Sequence, residues 1–69
     1  MNSDVLKGKW LQLKGEIKAQ WGRLTDDDLD IVKGDMEKLI GKVQERYGYE
    51  RERAKQEVDD YFKRHPVVA

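Results

Sequence analysis

A sixteen-residue frame occurs twice in this chain, and it limits the possible folds more than any other feature. Residues 7–22, KGKWLQLKGEIKAQWG, return at 33–48 as KGDMEKLIGKVQERYG, an offset of 26 residues. Gly8, Gly15 and Gly22 recur as Gly34, Gly41 and Gly48, and these six are all the glycines of the protein. Trp10, Leu13, Ile17 and Trp21 recur as Met36, Leu39, Val43 and Tyr47. Steps of three and four residues between apolar positions place them on one face of an α-helix. The frame therefore predicts a small all-α domain built from a doubled unit, and specifies no chemical activity.

Taken in order, the chain predicts four helices. Ser3 and Asp4 can cap a first helix over 4–21, with Leu6, Trp10, Leu13, Ile17 and Trp21 along one stripe. Gly8 and Gly15 fall opposite that stripe, where each weakens the helix by up to about 1 kcal/mol relative to alanine. Gly22 follows the last apolar position and suits a left-handed stop. Thr25 then offers an N-cap, and Asp26, Asp27 and Asp28 suit the positive end of a helix dipole. Leu24 and Leu29 take the two places of a hydrophobic staple. These signals predict a short second helix over 26–33.

Gly34 and Asp35 supply a stop and a cap before a third helix over 36–47. The series Leu29, Val32, Met36, Leu39, Val43 never leaves helical phase, so one kinked helix is the alternative to the break. Gly48 ends the third helix. A fourth, over 50–64, carries Ala54, Val58, Tyr61 and Phe62, with Tyr49 and Ala54 as its staple. Pro66 ends it, leaving a tail at 65–69. Each hairpin alone exposes one apolar face, and packing the two together buries both. The expected product is a single domain over 1–69, an irregular four-helix bundle centred on Trp10, Leu13, Ile17, Trp21, Val43 and Phe62.

Charge narrows the function. Basic and acidic residues balance at 14 each in a chain of 69, so no global field draws it to nucleic acid or anionic lipid. The distribution along the chain is uneven: residues 1–24 carry +3, residues 25–37 carry −5 and residues 38–69 carry +2. No apolar run approaches the roughly 20 residues that span a bilayer. The N-terminus lacks the basic start and apolar stretch of a signal peptide, which predicts a cytoplasmic protein. The absence of cysteine rules out disulfides and thiolate metal sites.

Asp26, Asp28, Asp30 and Glu37 fall on positions 1, 3, 5 and 12 of a calcium-binding EF-hand loop, but Ile31 stands where that loop needs glycine. A charged helix N-terminus is the better reading, and no metal or cofactor is expected. His65 has no second histidine or cysteine to share a metal. Ser3 and Thr25 are the only hydroxyls besides the tyrosines, and both read as caps, so no enzyme is expected. Lys7, Lys14 and Lys18 share a flank of the first helix, with Arg23 just beyond it. Such a stripe could follow a phosphate backbone, which makes an anion- or nucleic-acid-binding module the alternative function. Trp10 and Trp21 could stack on bases but lie on the apolar stripe. Leu11, outside that stripe, is the one hint of self-association in a chain otherwise expected to be a monomer. The interleaved charges of Arg46, Arg51, Arg53, Lys55, Glu50, Glu52 and Glu57 read as salt-bridged helix surface.

The glycine-centred repeat, the junction Trp21-Gly22-Arg23-Leu24-Thr25-Asp26-Asp27-Asp28 and the junction Gln44-Glu45-Arg46-Tyr47-Gly48-Tyr49 resemble the CsbD-like family, most closely its YjbJ type. The resemblance covers roughly residues 4–62. It implies a bacterial general stress-response protein with no established biochemical activity and no catalytic residues to carry over. It also implies two crossed helical hairpins, similar to sterile-alpha-motif domains. Its members are hydrophilic and rich in glycine; this sequence departs from them toward a folded domain through its aromatic stripe. The expected role is non-enzymatic, by solvation or weak contacts with other macromolecules.

Overall fold

The computed structural model describes the backbone of residues 3–65 and the side chains of 5–65. The caps expected of Ser3 and Asp4, and the stop at Pro66 with the tail beyond it, lie outside the described residues. All regular structure among them is helical: α1 (Ser3–Gly8), α2 (Trp10–Gln20), α3 (Asp26–Val32), α4 (Met36–Tyr47) and α5 (Arg51–Arg64). Successive helices pack on one another along the chain. The result is a helical bundle with a radius of gyration of 10.8 Å, matching the roughly 11 Å of a compact chain this long.

The first helix is the main departure from the sequence reading. It is not continuous over 4–21 but divides at Lys9, whose φ of −110° and ψ of 11° leave the helical region. Lys9 keeps backbone hydrogen bonds on both sides of the bend. The Lys9 N–H still donates to the Val5 carbonyl at 3.1 Å, and the Lys9 carbonyl accepts from both Gln12 and Leu13 at 3.0 Å. The cause lies in the neighbouring packing. Leu6 and Trp10 are both buried, and the backbone of Gly34 lies directly on Lys7. The bend falls beside Gly8, the weakest helix former of the segment.

The junctions are made by the residues that capping chemistry selects. The Thr25 hydroxyl accepts from the Asp28 N–H, and the Asp28 carboxylate accepts from the Thr25 N–H, each at 3.0 Å. This reciprocal box satisfies two free backbone donors at once. Leu24 and Leu29 are buried on either side of it as the staple. Helices α3 and α4 are separate, because Lys33 (φ 47°) and Gly34 (φ 84°) both turn left-handed. Asp35 then caps α4, its carboxylate accepting from the Lys38 N–H at 3.2 Å. Gly48 ends α4 in the left-handed region, donating to the Gln44 carbonyl at 2.8 Å.

Gly22 does not repeat that stop. Its φ is not positive; the chain leaves α2 through Trp21 (φ −120°, ψ 79°), and a Leu24 N–H to Trp21 carbonyl bond of 3.0 Å closes the turn. A turn closed in that way needs no left-handed residue.

The core contains every residue expected at its centre: Trp10, Leu13, Ile17, Trp21, Val43 and Phe62. Leu6, Leu39, Ile40, Ala54, Val58 and Tyr61 complete its α1, α4 and α5 faces. Trp21 meets Tyr61 at 5.1 Å between ring centroids, and Tyr61 meets Phe62 edge-on at 5.2 Å. The Trp10 indole N–H donates to the Leu29 carbonyl at 3.0 Å and so ties α2 to α3. Each large aliphatic side chain buried here contributes about 1.5–3 kcal/mol.

The glycines divide into two kinds. A Cβ added at Gly34 would stand 2.5 Å from the Lys7 Cα, so that position is filled by backbone. A Cβ at Gly8, Gly15, Gly22 or Gly41 would meet nothing within 4 Å. Close approach of a neighbour therefore explains Gly34 and none of these four. Gly15→Ala and Gly41→Ala are expected to stabilise the fold by up to about 1 kcal/mol each, the helix-propensity difference. Gly34→Ala is expected to destabilise it by more than either gains. Urea unfolding followed by tryptophan fluorescence measures all three.

Candidate functional site

The residues with chemical potential gather around α3. This helix begins with three consecutive aspartates because acidic side chains at its N-terminus favour helix formation. Its apolar side, Leu29 and Val32, faces the core. Its acidic sides lie between the basic flanks of α2 and α4. Lys18 bonds Asp26 at 2.8 Å and Lys14 approaches Asp30 at 3.9 Å, both from α2. From α4, Arg46 grips Asp28 with two bonds, Nε to Oδ2 at 2.8 Å and Nη2 to Oδ1 at 3.0 Å. Lys42 stands 3.5 Å from the same carboxylate. The opposed segment charges of the sequence are thus met within the molecule.

Asp28 is the centre of this arrangement. Its side chain is 3% exposed, and its carboxylate holds Arg46, Lys42 and the Thr25 N–H together. The Arg46 hydrogen bonds, followed by the Thr25 N–H, hold its carboxyl well below the usual carboxylate range, against the opposing effect of burial. Asp26 is lowered as well, chiefly by its hydrogen bond to Lys18.

The four carboxylates that match calcium-loop spacing diverge. Asp26 goes to Lys18, Asp28 to Arg46 and Lys42, Asp30 to Lys14 and Glu37 to Arg51. The first three stand on a regular helix rather than a wrapped loop. Among the described residues no group of three or more histidine, cysteine or acidic side chains could hold a metal ion.

The residues of the basic stripe fall on three segments. Lys7 stands on α1, before the bend at Lys9, and Lys14 and Lys18 stand on α2. Lys14 and Lys18 face the carboxylates of α3. Arg23 lies on the α2–α3 connection, with its guanidinium 5.3 Å from the centre of the Tyr47 ring and its N–H donating to the Tyr47 hydroxyl at 3.3 Å. Trp10 and Trp21 are 6% and 3% exposed and offer no face to a base. Leu11, by contrast, is 82% exposed.

Groups suited to acid–base work are few. A depression of about 270 Å³ between α2 and the end of α5 is lined by Glu16, Ala19, Gln20, Tyr61 and His65. His65 stacks on Tyr61 at 4.6 Å. Burial pushes the Tyr61 phenol up, and the Glu16 carboxylate adds to the effect. The Thr25 hydroxyl is engaged by the Asp28 N–H.

Two features escaped the sequence reading. Thr25-x-x-Asp28 has the spacing of a capping box, a local signal that could have singled out Asp28 from its neighbours. The choice of Arg46 as its partner is tertiary, and no local pattern marks it. The second feature is a row of four side chains, Arg23, Tyr47, Tyr49 and Arg53, drawn from the α2–α3 connection, α4, the α4–α5 connection and α5.

Comparison with known proteins gives a consistent result. The CsbD-like family model matches residues 4–56. The chain is 62% identical over 64 residues to UPF0337 protein PA4738 of Pseudomonas aeruginosa, covering 93% of this chain and 98% of that one. It is 54% identical over 65 residues to UPF0337 protein YjbJ of Escherichia coli O6:H1, covering 94% of each. It is 56% identical over 63 residues to UPF0337 protein XAC4007 of Xanthomonas axonopodis pv. citri, covering 91% of each.

The Asp28 cluster sets an expected acid response. A carboxylate depressed in the folded state stabilises the fold above its unfolded pKa, near 3.9, and that contribution is lost as pH falls through the folded value. Asp28→Asn is expected to lower stability at neutral pH by about 1.5–3 kcal/mol, the range for hydrogen bonds to a charged group. The variant should also show a shallower loss of stability below about pH 4. Thermal unfolding of both proteins across that pH range tests the two effects together.

Proposed function

We propose, since the chain belongs to the CsbD-like family, that it is a non-enzymatic bacterial general stress-response protein. It acts in the cytoplasm as a monomer, by solvation and weak contacts with other macromolecules. The observation that carries this reading is the way its charge is spent. The acidic helix is matched by cations on both sides, while the apolar stripes close on each other. What such a molecule presents outward is a dense, balanced polar surface, which holds water without drawing in a strongly charged partner. No described helix is long and apolar enough to cross a membrane.

The open glycines support a second part of the role. Gly15 and Gly41 lie inside helices with nothing packed on them, and they lower helix stability without serving a close contact. A chain tuned in this way sits near the boundary between firm and loosened helices, where changes in water activity or weak contacts shift its population. Isolated surface ion pairs contribute only about 0–1 kcal/mol and do not oppose such loosening.

The test is protection of a client. A labile enzyme dried or heated with an equimolar amount of this protein is expected to retain more activity than with an equal mass of an inert globular protein. Deletion of the coding sequence is expected to sensitise cells to osmotic or stationary-phase stress. Absence of both effects would remove the proposal.

A further inference from the structure

The row formed by Arg23, Tyr47, Tyr49 and Arg53 is not used by any of the roles above. The Arg23 guanidinium lies 5.3 Å from the Tyr47 ring centre, the Tyr47 and Tyr49 rings are 5.5 Å apart at 30°, and the Arg53 guanidinium lies 4.0 Å over Tyr49. These steps bring cations from the α2–α3 connection and the start of α5 onto Tyr47 at the end of α4 and Tyr49 just beyond it. Both rings are half-buried, so part of each faces solvent, and both arginines are exposed.

The two outer cations differ from their neighbours in how they are engaged. Arg46 is committed to Asp28, and Arg51 to Glu37. Arg23 has no carboxylate within 4 Å among the described residues, and Arg53 reaches Glu57 only at 4.0 Å. Arg53 is 63% exposed in its side chain, so a weak contact is all that keeps it over Tyr49. A nucleic-acid base stacks on tyrosine more strongly than an exposed cation does, and can take its place. The displaced arginine then meets the phosphate beside that base.

From this geometry we propose that the Arg23–Tyr47–Tyr49–Arg53 row is a binding site for single-stranded nucleic acid, with Tyr49 as the stacking platform and the two arginines as phosphate contacts. The site goes beyond the protective reading and does not depend on it. It is also separate from the Lys7, Lys14 and Lys18 positions on α1 and α2. Glu50 and Glu52 line the same depression as Tyr49 and Arg53, and their charge lowers the affinity of that end for phosphate. Binding is weak and strongly dependent on salt.

Fluorescence anisotropy of a labelled oligothymidine of about fifteen nucleotides, within the usual range of single-strand site sizes, provides the test at low ionic strength. The expected result is a salt-sensitive rise in anisotropy, weakened about ten-fold by Tyr49→Ala, as for loss of one stacked base. Arg53→Gln is expected to reduce the slope of log affinity against log salt by about 0.7. Lys14→Glu is expected to leave binding unchanged. Because Tyr49→Ala could disturb the α4–α5 junction, amide chemical-shift mapping of the wild-type protein with the same oligonucleotide is the second measurement, with shifts expected at Arg23 and over residues 47–53. No anisotropy change, binding insensitive to Tyr49→Ala and Arg53→Gln, loss of binding on Lys14→Glu, equal affinity for duplex, or shifts confined to other residues would each overturn the proposal.

Discussion

The pairing of Asp28 with Arg46 is the interaction on which the rest of the fold depends. A carboxylate that is almost wholly buried must be met by hydrogen bonds, because leaving it bare would cost several kcal/mol. Asp28 meets that demand by binding Arg46 twice and by closing the Thr25 box. One side chain thereby fixes where α3 begins and which face of α4 it meets. The Leu24 and Leu29 staple can close only when that start is fixed, and the Leu29 carbonyl is also the acceptor for the Trp10 indole. A polar contact of four residues thus sets the register in which the apolar surfaces of α2, α3 and α4 come together.

The same arrangement explains why a chain so rich in charge is so poor in obvious sites. Its strongest local field, the acidic run from Asp26 to Glu37, is answered by Lys14, Lys18, Lys42, Arg46 and Arg51 from helices on either side. Charge that serves folding in this manner is withdrawn from recognition. What remains available lies where helices end and cations are set on aromatic rings instead of carboxylates. Chemistry on this scaffold is therefore more a matter of surface contact than of a cavity.

Much of this was legible in the sequence because it is local. The Thr25 cap, the Leu24–Leu29 staple, the Asp35 cap and the Gly48 stop depend on residues within a few positions of one another, and each stands where spacing placed it. The apolar stripe found the core for the same reason. The division of the first helix at Lys9 was less visible, since Leu6 and Trp10 keep helical phase across it. Yet Gly8-Lys9 occupies the place in the first frame that Gly34-Asp35 occupies in the second, where a break was expected. Gly22 misled in the opposite direction: equivalence with Gly48 suggested a left-handed stop, but the short turn to Leu24 made one unnecessary. The Asp28–Arg46 pair and the Arg23–Tyr47 contact join residues far apart in the chain, and no spacing rule reaches them.

The bare outer positions of α2 and α4 have a consequence for how the molecule comes apart. A Cβ at Gly15 or Gly41 would meet no neighbour within 4 Å, so nothing is packed over the outer face of the helix at those points. Solvent can compete there for backbone hydrogen bonds while the indole and aliphatic interior stays shut. Opening is then graded from the rind inward rather than all at once, with the lowest-energy excursions confined to the outer turns. A protein layered like this has a yielding exterior around a firm kernel, and can trade contacts with its surroundings without surrendering its fold.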